Sequence, residues 1–329
     1  MPVDRELSKK VEEYSKIFTL AKSEIAKSVV GQEKAVNCML KALIANGHVL
    51  LEGVPGIAKT LLVRTIARVM KCSFSRIQFT PDLLPTDIVG ITAFEKDKGF
   101  YVVKGPIFAN FVLADEINRA PPKVQSALLE CMAERQATIG KESFLLDPPF
   151  FVLATQNPIE SLGTYPLPEA QLDRFLFKLQ LLYPTVEEEQ RVLTNNITTR
   201  KFEDIVIEPV LDGPILMDIQ EAVRQVYVDE KVEKYIVRII DATRNPDKYK
   251  LNLGKFIEWG ASPRGSIGLH IAGRAEAMLN GKLFVTPQDI KEVASDVLRH
   301  RIIVNYEGQA EAVKPDDIVK EILSKVPVP

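Results

Sequence analysis

Cysteine is scarce in this chain: Cys38, Cys72 and Cys131 are three among 329 residues. They are odd in number, widely spaced and set in apolar surroundings, which argues against a disulfide framework or a thiolate metal site and for reduced, buried side chains. Neither sign of charge dominates, since 42 basic and 44 acidic side chains leave a formal net charge of −2. No global basic field argues for nucleic acid, no acidic excess argues for disorder, and a charged partner must be met by a local patch. No stretch approaches the ~18 apolar residues that a membrane span needs. The N-terminus, MPVDRELSKKVEEYSK, is polar and lacks the apolar centre of a signal peptide. Internal repeats and low-complexity tracts are also missing. The expectation is a soluble cytoplasmic protein without membrane insertion.

What is present is ordinary globular material, 46% hydrophobic and 26% charged, long enough for two domains. Apolar side chains at Leu7, Val11, Tyr14, Phe18, Ala21 and Ile25 recur at threes and fours, one face of a helix. From there to about Leu182, β-rich runs alternate with helical segments: HVLLE at 48–52, FSRIQF at 74–79, FVLAD at 111–115, FFVLAT at 150–155 and FLFKLQ at 175–180. These runs lack period-two alternation, so they read as buried parallel strands of an α/β layer fold. Two segments, ITAFEKDKGFYVVKG and QATIGKESFLL, read as inserted β-hairpins around Gly-containing turns. After Tyr183-Pro184 the pattern is amphipathic and helical, with Thr286-Pro287 marking one helix start. The expected organisation is an α/β core over 1–184, N-terminal helix included, and a smaller helical domain over 185–329.

The octapeptide GVPGIAKT, residues 53–60, lies between a buried strand and an amphipathic helix. It fits the phosphate loop G-x-x-x-x-G-K-[ST] except that the glycine before the lysine is Ala58. Loop N–H groups and the positive helix end would cradle a β-phosphate, Lys59 would neutralise β and γ oxygens, and Thr60 would ligate Mg²⁺. A left-handed backbone at Ala58 would cost on the order of 1 kcal/mol; with φ negative the cost vanishes.

About fifty residues on, LADEIN ends an apolar strand with two acids whose side chains leave a strand in opposite directions. Asp115 would hold the Mg²⁺ through its water shell and Glu116 would polarise the attacking water as general base. A third strand ends in Gln156-Asn157-Pro158, putting a neutral amide at the carboxyl edge where open α/β sheets bind ligands. Arg174, before the last strand, and Arg264, at a helix start in the second domain, complete the set.

In this combination the chain resembles an AAA+ ATPase of the MoxR family. The resemblance covers nearly the whole chain, through VVGQ at 29–32, GHVLLEGVPGIAKT, RIQFTPDLLPTDIVG, GPIFAN, VLADEINRAPPKVQSALLECMAERQ, ATQNPIESLGTYPLPEAQLDRF, GASPRGS, TPQDI and VLRHR. It implies a P-loop AAA+ core with inserted hairpins, followed by an all-α lid. It also implies ATP with Mg²⁺ as cofactors. Lys59 and Thr60 look like the Walker A pair, within a loop and helix entry formed by Gly53, Val54, Pro55, Gly56, Ile57, Ala58 and Leu61. Asp115 and Glu116 look like Walker B, and Asn157 like sensor 1. Arg174 resembles an arginine finger presented to a neighbouring subunit, and Arg264 resembles the sensor 2 arginine, acting in cis or in trans. Val30 and Gly31 resemble the stretch that borders adenine.

The resemblance further implies hydrolysis at the subunit interfaces of a ring, commonly a hexamer, with chaperone-like remodelling of protein clients. Family members often pair with von Willebrand factor A domain proteins. Relatives of the clade include replicative helicases, which keeps a DNA-associated motor as an alternative. The near-zero net charge and the lack of a recognisable DNA-binding module stand against nucleic acid, and only Lys96, Lys98, Lys104 and Lys141 lend the hairpins a basic look. A slow nucleotide-gated binding switch is the third reading.

Overall fold

Five of the apolar runs form one parallel sheet: β1 (Val49–Gly53), β2 (Phe74–Gln78), β5 (Phe111–Asp115), β8 (Phe151–Gln156) and β9 (Phe177–Leu181). Their order is β2-β5-β8-β1-β9, with every neighbouring pair parallel. A computed structural model describes residues 5–53, 59–97, 99–157, 163–181, 183, 185–194 and 205–329. Val49, Leu50, Leu51 and Phe111–Ala114 are fully buried, as strands covered on both faces must be. Parallel pairing forces each connection to cross over, and helices Lys59–Val69 and Pro122–Glu134 do so. All five carboxyl ends therefore open on one edge.

Both expected hairpins are present. The first pairs β3 (Gly90–Glu95) with β4 (Gly99–Lys104), and the second pairs β6 (Gln136–Ile139) with β7 (Glu142–Leu145). The first is pinched at its root, because a Cβ on Gly90 would lie 2.2 Å from Val103 O and one on Gly105 would lie 2.3 Å from Ile88 O. Lys104 Nζ lies 4.7 Å from the Phe108 ring centroid and 5.8 Å from that of Phe144. This cation–π contact ties the first hairpin's root to the second hairpin. The outer part of the first hairpin is exposed and aromatic, with Phe94 65% and Phe100 78% exposed and their rings 5.0 Å apart.

The N-terminal helix, Arg5–Ala26, buries Val11, Tyr14, Phe18, Ala21 and Ile25, the face that its periodicity predicts, with Leu7 packed partly beside them. The C-terminal part is helical: Gly213–Gln225, Glu230–Arg244, Pro263–Leu279, Pro287–Leu298, Tyr306–Ala310 and Pro315–Lys325. Asp212, Asp229, Ser262 and Thr286 each accept a backbone N–H at a helix start, satisfying donors that the helix leaves unpaired. A short antiparallel pair, β10 (Ile257–Trp259) with β11 (Ile303–Val304), lies among these helices; two- and three-residue strands carry too little pattern to be read in advance.

One apolar core runs from the sheet into the C-terminal helices, and polar clamps reinforce it. Lys41 Nζ meets Glu276 Oε2 at 3.0 Å between two helices, both side chains being nearly buried. The residues after helix Pro287–Leu298 grip the approach to β9. His300 Nε2 faces Phe175 O at 3.0 Å, and Arg301 Nε donates to Asp173 Oδ1 at 2.7 Å. Arg301 also donates to Phe175 O at 2.7 Å and Leu176 O at 3.2 Å. The three cysteines are free, and burial raises each thiol's pKa, to about 11 for Cys72 and about 12 for Cys131.

Candidate functional site

At the carboxyl edge, β1 ends at Gly53 and the next helix begins at Lys59. Residues 54–58, including the backbone at Ala58, lie outside the described residues. Lys59 Nζ donates to Gly53 O at 2.7 Å. Burial lowers the Lys59 pKa, while the carboxylates of Asp115 and Glu116 push it back up. The lysine therefore stands in the field of both acids, at the start of an 11-residue helix whose N-terminal N–H groups favour an anion. Thr60 and Leu61 follow in the first turn, both half-buried.

The acid pair is held by residues that sequence reading does not single out. Asp115 Oδ2 accepts from Arg76 Nη2 at 2.6 Å and Nε at 3.2 Å, while Oδ1 accepts the Thr155 hydroxyl at 2.7 Å. The same hydroxyl oxygen accepts the Glu116 N–H at 2.8 Å. Glu116 Oε2 takes Gln78 Nε2 at 3.0 Å and Arg119 Nε at 3.2 Å. The expected strand alternation does not govern this pair: Arg76 Nη2 also donates to Gln78 Oε1 at 2.6 Å, so one network reaches both carboxylates. β5 stops at Asp115, and Glu116 turns out of it with φ 57° and ψ 50°, a left-handed backbone costing on the order of 1 kcal/mol.

Asn157 follows β8 and is 5% exposed, its carbonyl accepting from Asn118 Nδ2 at 3.4 Å. Pro158 lies outside the described residues. Val30 and Gly31 sit before helix Glu33–Ile44. Gly31 has φ +73°, and a Cβ there would lie 2.9 Å from Glu188 Cβ, so helix Val186–Thr194 leaves no room for a larger residue.

The two arginines are elsewhere. Arg174 precedes β9, whose first residue, Phe177, is level with Val49 at the start of β1. It therefore lies at the amino edge of the sheet, while the loop after Gly53 and the acids after β5 lie at the carboxyl edge. Four strand steps separate Val49 from Gly53, about 13 Å at ~3.3 Å each. Arg174 is exposed, and among the described contacts its guanidinium donates only to Leu129 O, at 3.3 Å. Asp173 beside it accepts Ser262 Oγ at 2.8 Å, and Ser262 Oγ in turn accepts the N–H of Arg264 at 3.1 Å. Asp173, absent from the sequence-based set, thus brings the start of helix Pro263–Leu279, with Arg264 exposed on it, to the amino edge beside Arg174.

The donor chemistry fits magnesium. Thr60 and Asp115 offer a hydroxyl and a carboxylate, the hard oxygen ligands this ion takes in ones and twos beside phosphates and water. Among the described residues no group of three His, Cys, Asp or Glu forms a metal cage. Thr60 and Asp115 are the residues that would hold such an ion, which would supply charge neutralisation at bound phosphates.

A five-stranded parallel sheet carrying Lys59, Asp115, Glu116 and Asn157 on its carboxyl edge, with two inserted hairpins and a helical C-terminal part, defines an AAA-type ATPase. Residues 48–177 match the ATPase family associated with various cellular activities, and residues 253–322 match the AAA lid domain. The chain belongs to the MoxR family of these ATPases. It is 46% identical over 320 residues to Chaperone MoxR1 of Mycobacterium tuberculosis, covering 96% of this chain and 84% of that one. It is 33% identical over 325 residues to Protein MoxR of Methylorubrum extorquens, covering 93% of each. A crystal structure from Cytophaga hutchinsonii superposes with a TM-score of 0.92 at 46% identity, covering 98% of this chain and 97% of that one. Among the described residues, no helix is long and apolar enough to cross a membrane.

Proposed function

We propose that the chain hydrolyses Mg²⁺-bound ATP at the interfaces of a ring of identical subunits and uses the energy to remodel or activate protein clients. The observation that carries this reading is the placement of Arg174 on the sheet edge opposite Lys59, Asp115 and Glu116. An arginine there is remote from its own chain's phosphates and free to meet those of a neighbour. Head-to-tail contact of this kind generates a ring when it closes, and we take a hexamer as the closed form. Arginine supplied from another chain speeds phosphoryl transfer by roughly 10³-fold or more, so hydrolysis would depend on assembly.

In this reading Lys59 neutralises the phosphates, Thr60 and Asp115 hold the metal, Glu116 orients and deprotonates the water, and Asn157 positions it. Residues 53–61 are assigned to phosphate binding, and Val30 and Gly31 border the base. Arg264 shares the amino edge with Arg174, and we assign it to the neighbour's nucleotide too. The core and lid are taken as 1–184 and 185–329, and the compartment as the cytoplasm. The exposed Phe94 and Phe100 of the first hairpin face outward and are assigned to the client; a von Willebrand factor A domain protein is the proposed partner class.

The test is subunit mixing. Glu116→Gln should bind ATP and hydrolyse little, Lys59→Ala should lose binding, and Arg174→Ala should bind but hydrolyse slowly. Mixing Glu116→Gln with Arg174→Ala chains should restore hydrolysis, because some interfaces regain both groups. Two inactive variants that stay inactive when mixed would refute action between chains.

A further inference from the structure

We infer that Trp259, the chain's single tryptophan, is an anchor of the contact with a second copy of this chain, and that its indole is covered when copies assemble. This rests on reading Arg174 as acting between chains.

Trp259 is 66% exposed, yet its backbone is tightly framed. It pairs with Ile303 in the β10–β11 ladder. The next residue, Gly260, packs so closely that a Cβ would lie 2.4 Å from Thr243 O. Ala261 N–H then donates to Thr243 Oγ1 at 3.0 Å, and Arg244 Nε donates to Ala261 O at 2.8 Å. The indole is thus displayed on a rigid bracket. Holding a large apolar ring in water on an ordered backbone forgoes burial that a partner would supply, and little conformational entropy remains to be lost on docking.

Position selects the occupant. Trp259 stands three residues before Ser262, which Asp173 holds against the amino edge of the sheet. Trp259 also pairs with Ile303, two residues after Arg301, which Asp173 holds as well, so its backbone stands within about 10 Å of the edge that carries Arg174 and Arg264, and among the described residues neither guanidinium has a carboxylate partner. An exposed edge of two arginines and a tryptophan has the composition of a binding hot spot, and its charge calls for an anion. On the opposite edge of this same chain Asp115 and Glu116 are already answered by Arg76 and Arg119, so the anion that this edge offers is the phosphate chain of the nucleotide it holds in the proposed function. A second copy presenting that edge supplies the complementary charge, with the indole as the apolar contact beside it.

The experiment uses full-length Glu116→Gln protein with Mg²⁺ and ATP, following sedimentation and tryptophan emission in the same samples. Assembly should shift emission to shorter wavelength and cut acrylamide quenching severalfold. Trp259→Ala should keep binding of a fluorescent ATP analogue yet weaken association about tenfold or more, and Trp259→Phe should recover part of it. Assembly with the indole still fully quenchable, or Trp259→Ala chains that associate as tightly as the parent, would overturn this inference and leave the ring reading intact. Shielding in a chain that still sediments as a monomer would overturn it in favour of a contact within the chain. No association in any nucleotide state would sink both.

Discussion

The Thr155 hydroxyl joins both acids of the site at once, donating to Asp115 Oδ1 at 2.7 Å and accepting the Glu116 N–H at 2.8 Å. Thr155 is fully buried, so water cannot replace it. Thr155→Val keeps the shape and strips both bonds. Stability should fall by about 1–3 kcal/mol, read from the urea midpoint. Because the left-handed turn at Glu116 loses its tether, kcat should fall about tenfold or more while affinity for an ATP analogue stays near the parent value.

Asp173 answers the buried charge of Arg301, whose side chain is 3% exposed. Asp173→Ala should cost about 3–5 kcal/mol, since it strands a guanidinium in the interior. Adding Arg301→Met should recover part of that loss. A double variant as unstable as the sum of the singles would mean that the pair is not coupled.

His48 and His300 give the fold an acid limit. His48 Nδ1 accepts the Val152 N–H at 3.0 Å and its Nε2 faces Met132 O, so a second ring proton would be driven against an N–H. Burial depresses both histidine pKa values well below 6.5, with Arg135 and Arg301 adding to the effect at His48 and His300 respectively. The unfolded chain then binds the extra protons, so this stability is present above about pH 6.5 and lost as pH falls toward the folded values. Each histidine contributes a slope approaching about 1.4 kcal/mol per pH unit below 6.5. His300→Gln should flatten that limb in denaturation curves taken between pH 7 and pH 5.5.

Phe94 and Phe100 are largely exposed, and their rings meet at a tilt of 55° with centroids 5.0 Å apart. Replacing both with Ala should leave the urea midpoint within about 0.5 kcal/mol of the parent and basal ATPase unaltered. Client-stimulated hydrolysis should be lost. Full stimulation in the double variant would move the client contact away from this hairpin.

The parallel strands were legible to within about two residues because strands buried on both faces appear as unbroken apolar runs, as VLL at 49–51 and FVLA at 111–114 do. Lys59, Asp115 and Glu116 stood out because phosphate chemistry demands those residue types at the ends of such runs, and the fold brings all three to the carboxyl edge. Thr155, Arg76, Gln78 and Arg119 were not. Their role arises from pairing between strands distant in sequence, and within FFVLAT a threonine reads only as a β-branched strand residue. Asp173 shows the same limit: its partners, Ser262 and Arg301, lie about 90 and 130 residues further on, and no local pattern records such a contact.

Arg301 and Asp173 also govern how the molecule comes apart. The guanidinium that closes the end of helix Pro287–Leu298 has its counter-ion just before β9, and the apolar core passes between the two parts without a break. Neither part can melt alone without exposing that core and leaving a charge unanswered. Heating should therefore give a single calorimetric endotherm, and limited proteolysis should yield no long-lived fragment of either half.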